Sequence, residues 1–169
     1  MKFGTDGVRG VAYTELTTEF AERLARAAAV ELSEHTSTVV IGGDTRESTP
    51  DFVAALARGF RAEGVDVVDL DVVPTPLIAY EAQRRDAIGA MVSASHNPFA
   101  DNGIKLFARG GVKLRDDVQA RIEGWLERGE LPPHAEQRGG LSSDPGHEPY
   151  LDHVLSILEG RRLDGLSLV

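Results

Sequence analysis

At 169 residues the chain is long enough for one ordinary domain with its own core and too short for two. Its 27 acidic residues against 18 basic ones leave a net charge of −9, which excludes a nucleic-acid partner that needs clustered Lys and Arg. The absence of cysteine excludes disulfides and thiolate metal sites and suits a cytoplasmic protein, and no apolar run nears the ~18 residues of a membrane span.

The chain opens on a glycine-punctuated segment, Phe3-Gly4-Thr5-Asp6-Gly7-Val8-Arg9-Gly10, whose Arg9 can offer a planar fork of donors to a phosphate. Thr17 or Thr18 can cap a helix predicted to run to about residue 32, with Phe20, Leu24, Ala27, Ala28 and Glu31 at three-to-four spacing. Residues 38–42 form a β-branched run that ends in glycines. Thr49-Pro50 starts a second helix with Phe52, Leu56 and Phe60 on one stripe, and Gly64 ends it. Residues 65–73 alternate as a strand, Pro74-Thr75-Pro76 opens a helix to about residue 84, and residues 87–94 are an apolar strand leading to Ser95.

This β-α-β-α-β progression predicts an α/β fold, a three-layer domain with a mostly parallel mixed sheet and helices on both faces. Ligands of such folds bind at the carboxyl ends of strands, where Ser95 falls. Asn97-Pro98 and Asp101-Asn102-Gly103 read as turns, and residues 104–107 as a further short strand. A helix is predicted from residue 114 or 115 to 128, with Val118, Ile122, Trp125 and Leu126 buried, so that Trp125 belongs to the core. Residues 129–149 are rich in Pro, Gly, Ser and His and read as a linker with solvated His134 and His147, and residues 150–158 as a last helix.

Residues 93–107 place a hydroxyl, an imidazole, two amides and a lysine in one turn-rich stretch. A serine-hydrolase reading is weak, because no Gly-x-Ser-x-Gly elbow surrounds Ser95 and the adjacent Ser95 and His96 side chains are expected to diverge. Together, FGTDGVRG near the start and SASHNPFADNGIK at residues 93–105 resemble, in order and spacing, the first domain of the α-D-phosphohexomutases. The second motif is most similar to that of the phosphoglucosamine mutases and the related archaeal enzymes.

The resemblance implies a phosphoserine at Ser95 that exchanges a phosphoryl group between the 1- and 6-oxygens of a hexose phosphate. It implies that Lys105, His96 and Arg9 act beside Ser95, that Asn97 supports the loop, and that Mg2+ binds one oxygen of the Ser95 phosphate. The remaining metal carboxylates are expected elsewhere in a longer enzyme. Residues 1–148 correspond to the first domain and 149–169 to the start of a second, with Leu166-Ser167-Leu168-Val169 the opening of an interrupted strand and a route to self-association. The isolated chain is then expected to be inactive, its partners being hexose phosphate and the remaining domains of the parent enzyme, with no membrane or nucleic acid. The alternative from another class is a stand-alone domain that binds a phosphosugar or a partner without catalysis.

One position departs from the family pattern: in Ile41-Gly42-Gly43-Asp44-Thr45-Arg46, Gly43 stands where an arginine is usual. Asp44 and Arg46 read as a structural ion pair closing a strand-to-helix turn. Three lysines against fifteen arginines, with the acidic excess, also fit a halophile's protein. On that reading the melting temperature rises from dilute buffer to molar potassium chloride, as salt screens self-repulsion. A flat or falling trend in thermal melts would remove it.

Overall fold

The computed structural model describes residues 2–4, 7–129, 131–145, 147–162 and 164–167. Seven strands form one sheet: β1 (Val8–Val11), β2 (Thr38–Gly43), β3 (Asp66–Val72), β4 (Ile88–Val92), β5 (Asp101–Ala108), β6 (Val112–Lys113) and β7 (Leu141–Ser143). Their order is β1-β5-β4-β2-β3-β7, with β6 also on β5. The pairs β2·β3, β2·β4 and β3·β7 are parallel, whereas β5 runs against β1, β4 and β6.

Alternation along the central strands sorts the core into two layers. Val39, Ile41, Ile88, Ala90 and Val92 face α1 (Thr18–Leu32) and α2 (Thr49–Ala62), together with Leu24, Phe52, Leu56 and Phe60. Val40 and Met91 face the other way, onto Leu77, Ile78 and Ala82 of α3 (Thr75–Arg84). The expected three-layer architecture is therefore present. Thr17 caps α1 by accepting from the Phe20 amide at 3.1 Å, as its sequence position predicts. Ile122 of α4 (Asp116–Arg128) is buried, whereas Trp125 is half-buried and donates to Glu31 Oε1 at 2.7 Å.

Two stretches differ from their sequence reading. Asp101-Asn102-Gly103 belongs to β5, because pairing with β1 continues the strand back to Asp101. The expected linker at 129–149 holds β7 and lies docked on the domain through its backbone. The Ala135 amide donates to the Ala62 carbonyl at 3.0 Å, the Gly139 amide to the Arg61 carbonyl at 2.9 Å, and Arg26 Nη2 to the Pro132 carbonyl at 2.7 Å. Hydrogen bonds of this kind need few apolar residues, so composition hides them. Arg85 bridges the same region, pairing with buried Glu81 and with Asp144 beyond β7.

The last helix, α5 (Glu148–Ser156), stacks on α3, with the His153 and Tyr80 rings 4.9 Å apart. Of the expected interrupted strand, Leu163, Leu168 and Val169 lie outside the described residues, and 164–167 are turn and coil. No helix among the described residues is long and apolar enough to cross a membrane.

The α1–α2 crossing depends on Gly59, where an added Cβ would meet the Glu22 carbonyl oxygen at 2.3 Å and Ala25 Cβ at 2.7 Å. Alanine is favoured over glycine in a helix by about 1 kcal/mol, but overpacking against a backbone atom costs about 1–3 kcal/mol. Gly59→Ala is therefore expected to lower the denaturation midpoint at an unchanged denaturant slope. A raised midpoint would mean that the helices separate at little cost.

Candidate active site

β4 carries the chain to the carboxyl edge of the sheet, where it turns directly back into β5, with Val92 opposite Ile104 and Met91 opposite Lys105. Ser95 lies in this connection, exposed, with φ at 57°, a left-handed conformation that costs a residue with a Cβ about 1–3 kcal/mol. Its neighbours hold it there. The Ser95 amide donates to Ser93 Oγ at 2.9 Å, and the Asn97 amide to the Ala94 carbonyl at 3.1 Å.

The main restraint comes from the turn after β2. Arg46 Nε donates to Asp44 Oδ2 at 3.0 Å, Nη1 to the Pro98 and Asp101 carbonyls at 2.5 and 3.0 Å, and Nη2 to the Ser95 and Asn97 carbonyls at 3.0 and 2.9 Å. The side chain is only 11% exposed, so these charge-assisted bonds compete little with water. The ion pair read from the sequence exists, but it also spans the serine loop. Four of its acceptors are backbone carbonyls more than forty-five positions away, which no sequence pattern displays.

Asp44 is the node of this arrangement. It accepts from the Arg46 amide at 3.1 Å and from Thr49 Oγ1 at 2.8 Å. Burial pushes its pKa up, but the hydrogen bonds from Ser93, the Arg46 backbone, Thr49 and the Arg46 side chain outweigh that, and the net shift is downward. Behind it, fully buried Asn102 donates to Ser48 Oγ at 2.9 Å and Thr49 Oγ1 at 3.2 Å and accepts from the Gly103 amide at 2.8 Å. Ser93 and Asn102 were not singled out from sequence, and Asp44 and Arg46 were read there only as a structural ion pair. The apolar surroundings of Asn102 on both sides of its motif were the one available signal.

The other candidates divide. Arg9 lies opposite Gly103 across the β1–β5 ladder, and Nη1 reaches Asn97 Oδ1 at 3.4 Å. A Cβ at position 103 would come within 3.0 Å of Arg9 Cγ and 2.8 Å of the Ser93 carbonyl oxygen, so glycine there admits the arginine stem. Asn97 Nδ2 in turn donates to Asp101 Oδ2 at 2.9 Å. His96 Nδ1 approaches Ser95 Oγ to 3.4 Å, so the two side chains do not diverge as the extended reading supposed; the left-handed turn at Ser95 swings them together. Lys105 projects from the same face of β5 as Gly103, by two-residue alternation, and lines a cavity with Phe3, Gly7 and Lys113, none of them from the serine loop. Arg9, Ser95, His96 and Asn97 are thus one cluster, whereas Lys105 lines the separate cavity beside β5.

A family model described as phosphoglucomutase/phosphomannomutase, alpha/beta/alpha domain I, matches residues 1–132. The chain belongs to this family. It is 44% identical over 176 residues to a phosphoglucosamine mutase of Rhodococcus opacus (strain B4), covering 99% of this chain and 39% of that protein. It is likewise 44% identical over 180 residues to a phosphoglucosamine mutase of Streptomyces griseus, of which it spans 40%. Among solved structures, a phosphoglucomutase/phosphomannomutase family protein from Burkholderia thailandensis superposes with a TM-score of 0.77 at 30% identity, over 91% of this chain and 35% of that one. The chain therefore spans about two fifths of the relatives' length.

Because the folded pKa of Asp44 lies below its unfolded value, its contribution to stability is full above the unfolded value and is lost as pH falls through the folded one. Asp44→Asn is thus expected to lower the melting temperature at neutral pH and to have much less effect near about pH 2. Paired melts across this range check it, and a constant difference would refute it.

Proposed function

We propose that the chain is the phosphoserine-bearing domain of a phosphohexomutase that interconverts hexose 1-phosphate and hexose 6-phosphate through a bisphosphate, with a hexosamine phosphate as substrate. One observation carries the reading: in a chain of this family, Ser95 presents an exposed hydroxyl at the carboxyl end of β4 from a backbone locked on both sides. The name shared by the relatives supports the hexosamine.

In this proposal the resting enzyme carries the phosphoryl group on Ser95. A sugar hydroxyl attacks phosphorus, the bond from phosphorus to Oγ breaks, and the net proton movement is from the sugar hydroxyl to Oγ. In this reading His96, whose Nδ1 lies 3.4 Å from Ser95 Oγ, returns that proton. The bisphosphate then presents its other end: Ser95 Oγ attacks that phosphorus, the bond from phosphorus to the sugar oxygen breaks, and the net proton movement is from Oγ to the sugar oxygen. Charge in such a loose transition state spreads over the phosphoryl oxygens, so cations and positioning supply the catalysis. On this reading Arg9 and Lys105 are the cations that this domain brings to the phosphoryl group, and Asn97 orients Arg9.

Magnesium favours octahedral oxygen ligation with one or two carboxylates. Among the described residues no group of three or more His, Asp or Glu could hold a metal ion, and a phosphorylated Ser95 would offer one ligand at most. These residues do not fit the ion by themselves. The proposal takes the remaining ligands, the sugar contacts and a second phosphate site from further domains of a longer cytoplasmic enzyme, and the chain alone is expected to be inactive.

In the full-length enzyme, Ser95→Ala is expected to abolish both phosphate incorporation and isomerisation. Lys105→Ala should slow transfer far more than it weakens sugar binding, because the developing charge is greatest in the transition state. Mass spectrometry of the isolated protein locates the phosphate. Phosphate on Ser93 with Ser95 bare, or full activity in Ser95→Ala, would overturn the mechanism.

A further inference from the structure

An arginine beside a phosphoserine is ordinarily read as a phosphate ligand. Arg46 is not available for that role. A guanidinium has five N–H donors, and here Nε, Nη1 and Nη2 meet five acceptors: the Asp44 carboxylate and the carbonyls of Ser95, Asn97, Pro98 and Asp101. Its side chain is 11% exposed, so little of it faces a ligand. Ser95 is meanwhile held at both ends of its own backbone: its amide by Ser93 Oγ, its carbonyl by Arg46 Nη2. Arg46 is itself tied to Asp44, through Nε and through its backbone amide.

We propose that Arg46, with Ser93 and Asp44, is a positioning device for phosphoryl transfer: it fixes the place of Ser95 Oγ through the backbone and touches neither the phosphoryl group nor the sugar. This rests on the mutase reading above. It assigns Ser93 a role that the sequence did not suggest, and it makes the arginine irreplaceable by lysine, whose three donors on one atom cannot span four carbonyls and a carboxylate. A displacement of about 1 Å at the reacting oxygen is enough to cost about 100-fold in rate.

The test uses the full-length enzyme with Arg46→Ala, Arg46→Lys and Ser93→Ala. For Arg46→Ala, kcat is expected to fall by about 100-fold while KM for the hexose phosphate stays within about threefold. Guanidinium ion should restore part of the lost kcat in Arg46→Ala and none in Arg46→Lys, where the side chain fills the space. Amide exchange of residues 95–101, measured in the present chain, should quicken in Arg46→Ala while β2 and β4 stay protected. If Arg46→Ala does not fold, Ser93→Ala carries the same test, with lower kcat at unchanged KM and faster exchange at the Ser95 amide. A kcat within about threefold of wild type, or a raised KM at unchanged kcat, would overturn the proposal, the second by revealing direct ligand binding. A wild-type enzyme that neither isomerises hexose phosphates nor carries phosphate on Ser95 would sink the mutase reading instead. The exchange comparison needs no turnover and then still decides whether Arg46 holds the loop.

Discussion

The reversal of chain direction between β4 and β5 is the constraint on which this site depends. In a parallel α/β unit a strand is followed by a helix, whose first turn organises the backbone that leaves the sheet. Here β4 turns straight back into an antiparallel neighbour, and the carbonyls of Ser95, Asn97, Pro98 and Asp101 converge on one donor group from outside the loop. A single planar cation from the adjacent β2 turn satisfies all four, and the strained serine conformation persists because its surroundings leave no alternative.

The sequence showed the sheet and its helices well because those depend on periodicity and punctuation. Val39, Val40 and Ile41 alternate between two cores, Pro50 and Pro76 mark helix starts, and Gly64 marks a helix end. Where structure rests on backbone pairing the pattern is silent. Leu141-Ser142-Ser143 has no strand composition, yet it pairs with Val67, Val68 and Asp69 because β3 presents an open edge. Asp101-Asn102-Gly103 has the composition of a turn, and becomes strand because β1 lies alongside. For the site, the motif identified Ser95, His96, Asn97 and Arg9 as neighbours, whereas the frame that holds them is written in carbonyl oxygens that every residue has.

Gly43, the departure from the family pattern, fits its surroundings. A Cβ at that position would fall 2.2 Å from Thr49 Cγ2. The threonine occupies that space, and its hydroxyl donates to Asp44 while accepting from Asn102. A side chain at position 43 and this placement of Thr49 are mutually exclusive, so the glycine is coupled to the buried chain of polar contacts from Asn102 to Asp44. Each group in that chain has its partners, as the low dielectric of a buried polar network demands.

On the proposed mechanism, the same economy would bear on how a phosphoryl group is handled in a chain of net charge −9. Asp44 and Asp101, two carboxylates beside the loop, are engaged by Arg46, Thr49 and Asn97. An arginine with donors to spare would bind the phosphoserine firmly in the ground state. Equal stabilisation of the ground and transition states adds nothing to kcat, and a phosphoryl group that must leave this serine and later return gains nothing from being gripped here. By spending its donors on four backbone carbonyls and the Asp44 carboxylate, Arg46 would, on the proposed mechanism, contribute geometry without affinity, and the charge that follows the phosphoryl group would be left to residues such as Arg9 and Lys105.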